Sequence, residues 1–456
     1  MAREPEMTTP PERGERKRDT ISQVRHYRLI APLFGGGVET KQADPISTVR
    51  ASEVRGQLRF WWRATRGGQF ANLAAMKQAE GELWGSTSEP SEVQVVVTLN
   101  NSGDAIDSFP MPDGSEVGIG KPQSPISYAT FALRDAGSLR LGVEFTLTLS
   151  FPKKQQEEVE ASLWAWETFG GIGARTRRGF GALCCLSYTQ DGVPMVVDRP
   201  ETRTAESVKA WLNKHMEVFS NIVDTRPQVP SIIGSQIEVA RNAQDFTGMV
   251  TREGRKIAFT TIAKVLLDQA PSVKPNKAEY IAALTAWYYP IDMLKKFRQS
   301  RTNSRGRSFW PEPDAIRYRM KNGFQGKHKD PIEKTRSIRK FPRAVFGLPI
   351  IFEFKDKVID PPTVTLQGNS YKRMASPLIL RPLRCADNTY ASIAVVLNVQ
   401  RELPGGLSLV VSNRDAHLFD ENAGAISTEP LTDDEAKNII PLKGEPDVLL
   451  AFLKML

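Results

Sequence analysis

The sequence predicts an α+β protein. Three observations carry this. β-rich runs alternate with amphipathic helical patterns, the main helical patterns stop at glycine pairs, and the first series runs strand, helix, strands, helix, strand. That order is the βαββαβ, ferredoxin-like pattern, assigned to residues 21–193. At roughly 150 residues per domain, a chain of 456 residues holds two or three domains. Its 40% hydrophobic and 25% charged content describes a globular protein.

Taken in order, residues 1–20 are polar and charge-mixed and read as a disordered arm with no secretory h-region. Tyr27 to Phe34 reads as a strand that ends at Gly35, Gly36 and Gly37, where backbone is free to approach a partner closely. Ser52 to Gly67 reads as a helix, with Ser52 as N-cap and Val54, Leu58, Trp61 and Trp62 as its apolar face. Val93 to Leu99 and Leu139 to Phe151 are β-rich, Lys154 to Phe169 is amphipathic, and Phe180 to Tyr188 resumes as a strand. Residues 194–230, with a helix at Ala205 to Phe219 between prolines, read as a connector. Residues 231–456 read as a second α+β domain. Its expected strands are Ser231 to Val239, Lys256 to Thr261, Ala344 to Phe354 and Ala391 to Val399, and its expected helices are Ala278 to Arg298 and Pro446 to Leu456. A helical and basic insertion occupies about 262–340.

The net charge of +9 is unevenly spread. Lys295 to Arg343 holds sixteen basic residues against four acids, for +12; Arg50 to Arg66 carries +4 and Arg175 to Arg178 carries +3. The remainder is acidic by 10 charges, so the chain is an acidic body with three basic patches, which points to a polyanion. Three cysteines and four scattered histidines exclude a disulfide framework and a zinc site, and fit a reducing, cytoplasmic setting; no metal or cofactor is expected. No apolar run reaches the ~18–20 residues of a membrane span, so no membrane partner is expected.

Each patch has a functional and a structural reading. The loop Gly170 to Gly181 contains five glycines, Gly171 and Gly173 among them, and Arg175, Arg177 and Arg178. It follows a helix and enters a strand, which is the reverse of a dinucleotide fingerprint, and no GK[ST] follows, which excludes a P-loop. A flexible loop with exposed N–H groups and arginines suits phosphates; the alternative is a solvated hairpin. On the first helix, Arg55, Arg59, Arg63 and Arg66 share one face, with Arg50 just ahead and Glu53 as the one acid nearby. That is a phosphate-binding stripe or a solvated face. Gly56 within it suggests close approach of another backbone. In the third patch, Arg301, Arg305 and Arg307 interleave with Phe297, Phe309 and Trp310, as in single-strand binders, unless Trp310 anchors the loop to the core. Arg343, Lys372 and Arg373 complete the candidate contacts. Catalytic signals are thin. His26 is the one histidine near a glycine loop, and no carboxylate pair or triad is recognisable.

Several motifs together resemble the RAMP superfamily of CRISPR proteins: Leu29 to Gly37, the run Arg50 to Arg63 with its RGxLRFWWR core, Gly170 to Gly181, Phe309 to Pro313, Phe341 to Pro349 and Met374 to Leu378. The RGxLRFWWR run is similar to the first-subunit family of the Cmr complex, the type III-B RNA-targeting effector. The resemblance covers about residues 27–400. It implies two tandem ferredoxin-like (RRM-like) βαββαβ domains, and a non-catalytic RNA-binding subunit in antiviral defence. Such a subunit helps to cap the crRNA 3′ end and engages target RNA. The implied partners are crRNA, target RNA and the other RAMP subunits. The loop Gly170 to Gly181 and Arg55, Arg59 and Arg63 carry over as RNA contacts. The RNP aromatic motifs of typical RRMs are missing, so backbone contact is expected over base stacking on the sheet. The alternative is a metal-independent endoribonuclease that processes crRNA, with His26 as acid/base.

Overall fold

The computed structural model describes residues 19–35, 44, 46–110, 116–119, 127–130, 138–219, 229–240, 277–302, 306–321, 333–335, 337–355, 360–399, 405–420 and 426–456. Residues 1–18 of the arm expected over 1–20, the expected strand Lys256 to Thr261 and much of the expected insertion lie outside them.

The first unit is built from β1 (Thr20–Leu29), α1 (Ala51–Arg66), α2 (Leu73–Trp84), β2 (Gln94–Asn101), β3 (Glu144–Pro152), α3 (Gln156–Phe169), β4 (Leu183–Gln190) and β5 (Val193–Met195). The strands form one antiparallel sheet in the order β5-β4-β1-β3-β2. Alternation explains its faces. Ile21, Gln23, Arg25 and Tyr27 of β1 and Phe145, Leu147, Leu149 and Phe151 of β3 are buried, while the residues between them face outward. Val54, Leu58, Trp61 and Trp62 of α1 and Val159, Leu163 and Trp166 of α3 cover the buried face. Full burial contributes about 1.5–3 kcal/mol per large apolar side chain, so this stripe is what holds α1 in place.

Several boundaries differ from the sequence expectation. β1 starts at Thr20, seven residues early, and stops at Leu29; Leu33–Phe34 is a separate short strand paired with Leu139–Leu141. α1 starts at Ala51 with Arg50 as an uncapped N-cap, so Ser52 sits inside the first turn. The expected strand Leu139 to Phe151 is broken at Gly142, which has φ +74°. Ala344 to Phe354 is a 3-10 turn (Pro342–Phe346) followed by the short strand Ile350–Phe352, because Gly347 at φ +112° turns the chain between them.

α4 (Ala205–Phe219) leads to the second unit. There β6 (Ser231–Val239), β7 (Leu378–Arg384) and β8 (Tyr390–Asn398) pair antiparallel in the order β6-β8-β7, with α5 (Lys277–Arg298) and α6 (Val448–Met455). β7 was not expected from the sequence, because Arg381 and Pro382 interrupt its apolar run. Pro382 is accommodated because β7 is an edge strand. The central β8 is buried on both faces. Ala391, Ile393, Val395 and Leu397 join the core of α1 and α3, whereas Ala394 and Val396 pack with Leu294 and Phe297 of α5. The layer of α1 and α3 is therefore shared, with the first sheet on one side and the second sheet on the other. The described residues thus form a mixed α+β architecture with antiparallel sheets, and none of their helices is long and apolar enough to cross a membrane.

The joint between the layers is polar at its centre. Arg381 of β7 is fully buried and donates to the carbonyl oxygens of Gly170 (2.7 Å) and Leu183 (2.9 Å), with a longer contact to Trp166 O at 3.5 Å. These are carbonyls at or beyond the C-terminus of α3, where orphan acceptors and the helix dipole favour a cation. Burial pushes the Arg381 guanidinium down to about 9, so it remains charged at neutral pH. Arg381→Met is expected to leave those buried acceptors unpaired and to cost on the order of 3 kcal/mol. Urea unfolding of the full chain measures this as a lower midpoint with both sheets lost in one transition.

Candidate nucleic-acid interface

The loop Gly170 to Gly181 is packed, and the expectation of a flexible loop with exposed N–H groups is corrected. Its backbone donors are largely engaged within the protein: Ala174 N donates to Phe34 O (2.7 Å), Gly181 N to Pro32 O (2.8 Å) and Ile172 N to Gly181 O (3.0 Å). Gly173 N donates to Glu53 Oε1 at 2.6 Å. The glycines are required by proximity. At Gly181, φ is +59° and a Cβ would lie 1.9 Å from Ile172 O; at Gly179, φ is +77° and a Cβ would meet Trp287 Cδ1 at 2.6 Å. Gly171 is buried, Gly173 has φ +82° against Phe34 O, and Gly35 has φ +61° against Ala174.

The loop arginines divide by role. Arg178 donates to Leu378 O (2.9 Å), and Trp287 Nε1 donates to Arg178 O (3.0 Å), so Arg178 fastens the loop to the second unit. Burial pushes its pKa down to about 10. Arg175 donates to Ala129 O at 3.2 Å. Arg177 donates to Ser376 O and lies 5.7 Å from the centre of the Phe60 ring on α1. Burial lowers the pKa of both.

The α1 stripe also divides. Arg59 and Arg63 converge on Glu80 of α2, at 2.7 and 2.5 Å. Arg66 is buried against Glu157 (3.0 Å) and Glu158 (2.8 Å) at the start of α3. The reading of a stripe nearly free of acids is therefore corrected at these three positions: the acids come from other helices. Arg55 has no ion-pair or hydrogen-bond partner among the described residues, and its Nε is inaccessible to solvent. Arg50 is part-exposed at the N-cap. Gly56 is exposed and a Cβ there would have nothing within 4 Å, so no backbone among the described residues approaches it. It shares a helix column with Ser52 and Phe60, one turn from where Arg177 lies on the Phe60 ring.

In the second unit the aromatic-stacking expectation for Phe297 and Trp310 is corrected. Both are buried to 1% exposure, and Trp310 Nε1 donates to Phe297 O at 3.0 Å, so Trp310 is an anchor. Arg307 pairs with Asp314 (2.6 Å), as does Arg317, and Arg343 pairs with Glu312 (3.1 Å). Arg301 is exposed beside an isolated bridge to Ser308. Gly36, Gly37 and Arg305 lie outside the described residues. Lys372 and Arg373 are exposed, with no ion-pair partner among the described residues, on the segment that leads to Ser376. His26 stands in the middle of β1, not before it, on the outer sheet face, where its Nδ1 lies 3.0 Å from Thr146 Oγ1. No group of three His, Cys, Asp or Glu among the described residues is placed to hold a metal ion.

Arg177 thus links two stretches: it lies over Phe60, one turn from Gly56 on α1, and donates to Ser376 O, three residues after Arg373. Sequence reasoning found the cations but missed Arg381, Phe60 and the tie from Glu53. Burial raises the Glu53 carboxyl, while the Gly173 N–H and Arg50 oppose the rise. Because a Cβ at Gly56 would meet none of the described residues, Gly56→Ala is expected to stabilise the isolated protein by about 0.5–1 kcal/mol through helix propensity. Thermal or urea denaturation of the two forms checks this.

A family model of the RAMP superfamily matches residues 26–184. Among curated proteins, the chain is similar to two from Pyrococcus furiosus. It is 24% identical to CRISPR system Cmr subunit Cmr1-1 over 197 residues, which is 40% of this chain and 55% of that protein. It is 28% identical to Cmr1-2 over 171 residues, 34% of this chain and 89% of that one. The chain thus spans about half the length of the first of these relatives. Among solved structures, it is similar to apo Cmr1 from Pyrococcus furiosus with a TM-score of 0.46 and 16% identity, covering 88% of this chain and 94% of that one. It is also similar to a chain of the type III-B Cmr-beta complex bound to cognate target RNA, with a TM-score of 0.41 and 12% identity over 95% and 100% of the two chains. The stretch that matches the RAMP superfamily model, residues 26–184, holds the end of β1, α1, α3 and the glycine loop.

Proposed function

We propose that this protein is a non-catalytic RNA-binding subunit of a type III-B, crRNA-guided Cmr effector, one that helps to hold the crRNA 3′ end and the target RNA. The observation that carries this is selective pairing. The fold neutralises Arg59, Arg63, Arg66, Arg307 and Arg343 with carboxylates, yet leaves Arg55, Lys372 and Arg373 without one among the described residues. Cations left without a carboxylate suit a phosphodiester backbone, which is read through its charge. Base pairing between guide and target would supply sequence specificity. The Cmr1 names of the curated relatives support the same reading. The partners proposed are crRNA, target RNA and other RAMP subunits.

For the fold, we read both units as ferredoxin-like. In the first, β4-β1-β3-β2 with α1 and α3 follows the βαββαβ order; in the second, β6, α5, β7 and β8 give the first three strands of it.

The reading predicts that Arg55→Ala, and separately Lys372→Ala with Arg373→Ala, weakens binding to single-stranded RNA of any sequence. Each lost phosphate contact should lower the slope of log K against log salt by ~0.7. An unchanged slope in both variants, measured by fluorescence anisotropy across a salt series, defeats the interface. A non-catalytic role further predicts that repeat RNA stays intact with the purified protein in EDTA. His26, whose ring meets the Thr146 hydroxyl, would be the residue to replace if site-specific cleavage were seen.

A further inference from the structure

We propose that Tyr371 is a base-stacking residue, and that the segment 369–376 extends the interface described above from phosphates to nucleobases of a single strand. The inference rests on the reading under Proposed function and adds the class of contact made.

Tyr371 is 66% exposed, among the most exposed of the large apolar or aromatic side chains described. It has no ring contact among the described residues, and its two following neighbours, Lys372 and Arg373, are exposed cations. An aromatic ring flanked by cations is the composition of a single-strand platform, in which the ring takes a base face and the cations take adjacent phosphates. The same exposure would suit a protein partner, since tyrosine is enriched at such interfaces. Lysine is depleted there, however, and Lys372 directly follows the ring.

The backbone beneath Tyr371 is fixed, so the ring is presented and not merely loose. The strand Val364–Gly368 ends at Gly368, where a Cβ would lie 2.3 Å from Tyr371 O. Asn369 N donates to Gly406 O (3.0 Å), and Asn369 Nδ2 donates to Gly405 O (2.7 Å). On the other side, Met374 and Leu348 exchange backbone hydrogen bonds of 2.9 and 3.3 Å, and Ser376 O accepts from Arg177. Tyr371 therefore stands on a short strap pinned at both ends, and the second pin is the same Arg177 that lies on Phe60 beside the Gly56 notch. Arg177 thereby ties the strap that carries Tyr371, Lys372 and Arg373 to the turn of α1 that holds Phe60.

The test uses the full chain with a fluorescein-labelled oligouridylate and with an abasic ribose-phosphate strand of equal length, titrated by anisotropy. Tyr371→Ala is expected to weaken oligouridylate binding about five-fold or more, the low end of one aromatic stack, without altering binding of the abasic strand or the salt slope. Tyr371→Phe should keep wild-type affinity, because the ring face is what binds. If Tyr371→Ala changes both strands equally or neither, while Arg55→Ala still weakens both, the stacking role is overturned and the phosphate interface stands. If the wild-type protein binds neither strand, both readings fail. A Tyr371→Ala protein that keeps RNA affinity but loses a co-assembling subunit overturns the role in favour of protein docking.

Discussion

A single buried guanidinium makes the two-unit arrangement coherent. The C-terminus of α3 must end somewhere, and it ends inside the protein, against the edge strand of the second sheet. Helix-terminal carbonyls buried in that way have no water to accept from. Arg381 reaches across and supplies their donors, which lets the chain turn sharply at Gly170 and Gly171 and run back as β4. Without that donor set, the apolar faces of α3 and β7 could not close over the helix end. Arg178 repeats the device one turn of the loop later, donating to Leu378 O near the start of the same strand. The glycine loop is therefore a joint between units, with arginines used as hydrogen-bond donors to backbone.

This changes what arginine content means here. A count of charges cannot distinguish a guanidinium that faces solvent from one that caps a helix or answers a carboxylate. In α1 the distinction follows helix geometry. Glu80 reaches Arg59 and Arg63 from 21 and 17 residues away in sequence, so the stripe that reads as unbalanced locally is balanced in space. Arg55, one turn earlier, escapes that neutralisation. The basic stretch of the second unit behaves in the same way: Asp314 and Glu312, two of the four acids within it, receive Arg307, Arg317 and Arg343.

The legibility of the chain follows from these same ranges of interaction. Local periodicity is a short-range signal, and it found α1, α3, α4, α5 and β1 to β4 of the first sheet with boundary errors of a few residues, the start of β1 excepted, but it missed the short edge strand β5. It failed at β7, where an arginine and a proline obey tertiary demands and disguise a strand. It failed at Trp310, where a basic and aromatic composition suggests exposure but a hydrogen bond to Phe297 O holds the indole inside. The candidate site was legible as residue types, in the cations of α1, the loop and the Lys372 region. Which of them remain unpaired was not legible, because their partners lie on other elements.

The shared layer of α1 and α3 has a consequence for how the molecule is divided. Each helix is apolar on two sides, one for each sheet, and Val395 and Leu397 of β8 belong to the same core as Trp62 and Leu149. A fragment cut at the connector would present the second of those sides to water as an exposed apolar face. The covalent order of the chain has two units, but its cooperative order has one. The helix that carries the open notch is thus supported from both directions, and a load placed on it by a bound strand is distributed into both sheets at once.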